Sequence, residues 1–193
     1  PTQPLLDNTA GKFGPFANQM IIGEMNLPHL VRFIPDEVDD TLQGTLVPFL
    51  KKTSLGRGNN RLVFGPDGSL WAGKMHLVWA GGEGLKRIKW TGKSSFEVKD
   101  VKLTKTGFDL TFTEALAEDL VKQLTDYQIT SYFYNYHAEY GSPKREERDI
   151  LVGKVHLSQD NKTLSLSVND LTPGRVYEFN LENLKNDQNK SLQ

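Results

Sequence analysis

The sequence has no cysteine among its 193 residues. Disulfides, thiolate metal sites, c-type haem attachment and a cysteine nucleophile are therefore excluded within the chain. The compartment stays open, because exported proteins can also lack cysteine. An excess of one charge sign is missing too: 23 Lys+Arg against 24 Asp+Glu give a formal net charge of −1. That balance argues against a nucleic-acid binder working through bulk positive charge, and against a polybasic membrane surface. No apolar run approaches the ~18 residues of a membrane span, and no signal peptide is visible. The four histidines, His29, His76, His137 and His156, show no HxxxH or HExxH spacing, and no Ser-His-Asp set is readable. No catalytic residue is assigned. The chain begins at Pro1 rather than Met, from which we expect processing or excision from something longer.

What is present is a β-forming composition. The hydrophobic fraction is 37%, with 10 Phe, 6 Tyr and 3 Trp, enough for a core and too apolar for a disordered chain. The length fits one large domain or two small ones. Apolar residues recur with period two, predicting strands at Gln19–Met25, His29–Pro35, Gly44–Leu50, Arg61–Phe64, Ser69–Gly73 and Leu85–Trp90. Gly65-Pro66-Asp67-Gly68 predicts a tight hairpin: Pro66 presets φ and Asp-Gly accepts positive φ. Near Thr91-Gly92-Lys93 glycine becomes sparse and the strands cleaner. Phe96–Leu103, Gly107–Thr113, Tyr127–Tyr136, Ile150–Ser158, Thr163–Val168 and Val176–Leu181 follow. Ala115–Leu124 reads as a short helix with Leu116, Leu120, Val121 and Leu124 on one face. The expected fold is all-β, divided into residues 1–92 and 93–193. The second part, with roughly seven strand-like segments, has the size of an immunoglobulin-like β-sandwich. The first has no obvious way to close, and open strand edges are a liability unless covered.

Lys12-Phe13-Gly14-Pro15-Phe16 followed by Gln19–Glu24, then Asn60–Trp71 (NRLVFGPDGSLW) and Gly84–Val98 (GLKRIKWTGKSSFEV), resemble the end of a β-propeller of the glucose/sorbosone-dehydrogenase-like type. That fold is used by PQQ-dependent sugar dehydrogenases. The longer layout is similar to large secreted multidomain bacterial proteins in which such a propeller runs into a C-terminal sandwich, with haem-binding or carbohydrate-related domains elsewhere. Tyr134–Pro143 resembles their C-terminal domain. The resemblance implies a secreted or periplasmic location and a non-catalytic segment of structural or interaction role. It implies PQQ and Ca²⁺ for the parent at most. Residues 1–92 would supply about two propeller blades. The remaining blades, in cis or on a companion chain, are the expected partners.

Two residue sets are candidates for binding. In quinoprotein dehydrogenases a His acts as base and Arg and Lys hold the cofactor carboxylates; here Arg57, Lys74, His76 and Trp79 are the contributors that resemblance suggests. Loop packing is the competing explanation, and the family's catalytic His has no match in this chain. The second set is the aromatic cluster Tyr132, Tyr134, Tyr136, His137 and Tyr140. Alternation puts Tyr132, Tyr134 and Tyr136 on one strand face. If exposed, that face stacks on sugar rings, with His137 and Glu139 giving hydrogen bonds; if buried, it seals the sandwich core. A carbohydrate-binding module is thus one alternative function, and part of a PQQ-dependent dehydrogenase another. Lys144–Asp149 reads as a solvated loop or strand edge. The acidic stretch Asp36, Glu37, Asp39 and Asp40 lacks EF-hand spacing and reads as a hairpin end rather than a Ca²⁺ loop. The glycine-rich Gly56-Arg57-Gly58 and Gly81-Gly82-Glu83-Gly84 lack phosphate-loop spacing.

Overall fold

Alternation over Leu30–Val38 builds the longest buried strand, and the first sheet forms around it. The computed structural model describes residues 1–51, 53–76, 82–118 and 128–193. Strands β1 (Pro4–Leu6), β2 (Met20–Ile22), β3 (Leu30–Val38) and β4 (Thr41–Phe49) form an antiparallel four-stranded sheet in chain order. Leu30, Arg32, Ile34 and Asp36 form the buried side of β3. The hairpin to β4 is closed by Asp39 and Asp40, at φ 49° and 58°, with Val38 paired to Thr41. Two consecutive positive-φ residues are the tight primed turn whose twist matches its flanking strands. The acidic stretch is thus a hairpin end. Changing Asp39-Asp40 to Asn-Gly is expected to stabilise the chain by roughly 1 kcal/mol, because Asn and Gly tolerate left-handed backbone better; urea unfolding midpoints measure it.

Strands β5 (Asn59–Phe64), β6 (Leu70–Lys74) and β7 (Leu85–Ile88) form a second antiparallel meander. The β5–β6 turn is the one the sequence predicts. The Asp67 carboxylate accepts from the Ser69 hydroxyl and amide, at 2.6 and 3.1 Å. Those bonds, with the Arg87 guanidinium, hold its pKa well below the usual carboxylate range. Gly68 has φ 79°, and a Cβ there would lie 2.4 Å from that of Lys12, so only glycine fits.

The core between these sheets takes Ile21, Leu30 and Phe49 from the first and Leu62, Leu70 and Ala72 from the second. Phe13, Phe16 and Leu55 fill in from the loops. Phe13 meets Phe64 edge-on at 5.2 Å, and Phe16 meets Phe49 at 5.6 Å.

The remaining strands are β8 (Val98–Thr104), β9 (Gly107–Phe112), β10 (Gln128–Phe133), β11 (Arg145–Ile150), β12 (Val152–Leu157), β13 (Thr163–Val168) and β14 (Val176–Asn180). They form two further open sheets, ordered β12-β13-β9-β8 and β11-β10-β14. Phe108 of β9 packs edge-on against Phe179 of β14 at 5.0 Å, joining the two sheets. Among the described residues the fold is thus β-rich, with four antiparallel sheets and none closed.

The compact units are Pro1–Val101 with Gln193, and Lys102–Leu192, so the division lies within β8, where the sequence suggests residue 92. Of the expected helix, Leu120, Val121 and Leu124 lie outside the described residues. Leu116 is buried and bridges to Asn186.

In the second unit Tyr177 ties β14 to the preceding turn. Its hydroxyl accepts from the Thr172 amide at 2.7 Å and donates to the Asp170 carbonyl at 3.1 Å. Tyr177→Phe is expected to cost about 1 kcal/mol, the net value of such a bond. Chemical denaturation followed by far-UV circular dichroism would detect it.

Candidate functional site

The pairing register of the first sheet separates its two faces. Leu5, Ile21, Arg32 and Val47 are direct neighbours across β1 to β4 and form a rung on the core side. On the other side Leu6, Met20, Phe33 and Leu46 form one rung, and Pro4, Ile22, Val31 and Pro48 form the next. Every residue in these two outer rungs is apolar. Leu46 is 64% exposed, Leu6 47% and Met20 37%. Leu42, on the same face of β4, is also exposed. Apolar side chains thus run across all four strands on this face, and large exposed apolar patches are uncommon on soluble monomers.

The sheet is held rigid behind that face by a buried ionic cluster. Arg32, 1% exposed, stacks its guanidinium 3.8 Å over the Phe16 ring. It donates to the Gln19 side-chain oxygen at 2.5 Å, to the Val98 carbonyl at 2.6 Å and to Glu97 at 3.4 Å. Gln19 in turn donates to the Lys99 carbonyl at 2.7 Å. Burial lowers the Arg32 pKa to about 10, against the opposing pull of Glu97. Burial likewise raises the Glu97 pKa, and its bonds to Ser95 and Arg32 offset only part of that. Both charges pay desolvation, so the cluster fixes geometry more than it adds net stability. It fastens residues 97–99 to the first sheet. Sequence reasoning missed it, because a lone Arg inside VRF looks like an exposed position of an alternating strand.

The tyrosine set is divided. Strand β10 ends at Phe133, so Tyr134 and Tyr136 do not continue its alternation. Opposite it, the pairing slips by one residue near Glu146, which has φ 46°. Such a bulge ends regular pairing. Arg175 braces it, donating to the Glu146 carbonyl and to the Ser131 hydroxyl at 2.5 and 2.7 Å. Tyr132 is buried and meets Tyr134 edge-on at 5.3 Å. Burial, and then the hydrogen bond with Tyr134, push the Tyr132 pKa up to about 12. Tyr136, His137 and Tyr140 are exposed on the loop between β10 and β11. Lys144–Asp149 mostly forms β11, an edge strand whose first five residues are exposed and charged. That is a common defence of a sheet edge.

Of the other candidate set, Lys74 is engaged by the backbone. The Lys74 ammonium donates to the carbonyls of Gly56 and Arg57, both at 2.8 Å. Arg57 and His76 are exposed, and Trp79 lies outside the described residues. Among the described residues no three His, Asp or Glu side chains come together as metal ligands.

No protein-family model, curated protein or solved structure matches the chain. Among the described residues no helix is long and apolar enough to cross a membrane.

Proposed function

We propose that this chain is a structural and interaction segment of a larger β-propeller protein resembling the sugar dehydrogenases, and that its apolar face docks the next blade. The observation that carries this reading is the pair of outer rungs on the first sheet. Propeller blades are four-stranded antiparallel meanders packed around a common axis. The β1–β4 sheet is such a meander, and β5–β7 supplies three strands of another. A blade within a ring needs two apolar faces; this sheet has one on its own core and a second open. The second unit fits an immunoglobulin-like accessory domain. Two observations support that reading: its sheets have four and three strands, and the Tyr177 hydroxyl bonds back to the backbone of Asp170 and Thr172, as the tyrosine of that fold does.

The reading is tested on the full chain by sedimentation velocity and by binding of an apolar dye. An open docking face is expected to give dye binding and self-association at micromolar concentration. A dye-silent monomer at that concentration overturns the reading.

A further inference from the structure

The loop between β10 and β11 has a fixed base and a tip of exposed rings. At its base the Asn135 amide donates to the Ser142 hydroxyl at 3.0 Å, and that hydroxyl donates to the Pro143 carbonyl at 3.0 Å. Tyr134 leans on the buried Tyr132 ring. At the other end Lys144 sits 4.3 Å over the same ring and pairs with Glu178 at 2.6 Å. The hydrogen bond to Glu178 raises the Lys144 pKa and lowers that of Glu178. Between these anchors Tyr136 and Tyr140 are fully exposed, and Tyr134 is half exposed. Three exposed rings within seven residues are costly to leave in water.

The chemistry of the tip selects the class of ligand. No aliphatic side chain larger than that of Ala138 lies between Tyr134 and Ser142. The contact area that the loop offers is therefore aromatic rather than aliphatic. The same stretch carries no Lys or Arg, so it has no cation for a phosphate or sulfate. It offers flat π faces together with both donors and acceptors, from Asn135, His137, Glu139 and the phenols. An apolar ring face rimmed by hydroxyls is the complement of that surface.

We propose that the Tyr134–Lys144 loop binds a neutral carbohydrate, stacking pyranose faces on Tyr136 and Tyr140, with His137 and Glu139 bonding to ring hydroxyls. The proposal rests on the second unit alone and is independent of the docking face in the first.

Affinity electrophoresis of the full chain through gels containing laminarin, xylan, starch or alginate tests it, with pull-down on cellulose and chitin. Retardation or retention by at least one neutral polysaccharide is expected. The Tyr136→Ala/Tyr140→Ala variant is expected to weaken it at least about tenfold, about 1.4 kcal/mol or more. The corresponding Phe double variant should retain most of it, because stacking needs the ring rather than the hydroxyl. Both rings are exposed, so circular dichroism should be unchanged in each variant. Binding to none of the neutral polymers, to alginate alone, or equally by the Ala variant would overturn the proposal.

Discussion

Arg32→Ala is expected to lower the unfolding free energy of the first unit by about 3–5 kcal/mol, the usual cost of removing one partner from a buried charged pair. The guanidinium reaches Gln19, Glu97 and the Val98 carbonyl at once, and it fills the space beside Phe16. Truncation takes a donor from each of those acceptors and leaves a cavity. Burial already raises the Glu97 pKa above its unfolded value. A carboxyl group raised in this way contributes stability that is fully present below its unfolded pKa of about 4.5, and the contribution fades as pH climbs through the raised value. Without Arg32 that rise becomes larger. The variant should therefore recover part of its deficit when the pH is lowered from 7 to 5. Adding Glu97→Gln should recover part of it at pH 7. All three tryptophans, Trp71, Trp79 and Trp90, fall in the first unit. Tryptophan fluorescence during urea unfolding thus isolates the relevant transition. A loss below ~1 kcal/mol would mean that the cluster is not a structural anchor.

The second large effect concerns assembly rather than folding. Met20→Lys with Leu46→Lys places two ammonium groups on the outer apolar rung, one on the inner strand β2 and one on the edge strand β4. Both side chains are already substantially exposed, so the stability of the isolated chain should change by no more than about 0.5–1 kcal/mol. Association through this face should fall by roughly 100-fold or more, since burying an unpaired charge costs several kcal/mol. Sedimentation velocity reads the loss of association, and dye fluorescence should fall in parallel. Unchanged association in the double variant would move the contact elsewhere. A large loss of folding stability would show that these residues pack within the chain.

The sequence by itself determined the all-β class and most strand positions. Period-two patterns such as Leu164 and Leu166 in β13, or Leu62 and Phe64 in β5, leave few alternatives, because a strand with one buried face must alternate. The β5–β6 turn was also legible, since Pro66, Asp67 and Gly68 each act through local backbone geometry. Strand pairing over long separations was not legible. The outer rungs exist because Leu6, Met20, Phe33 and Leu46 come into register across four strands, and only tertiary pairing sets that register. The same holds for Arg32, whose partners at Glu97 and Val98 lie more than sixty residues away. The tyrosines divide the same way: the sequence placed the rings together, while the end of β10 at Phe133 decided that Tyr132 is buried and Tyr136 and Tyr140 are exposed. Local chemistry specifies elements and turns. Which face is covered and which charge is buried depend on contacts distant in sequence, and those only the folded structure decides.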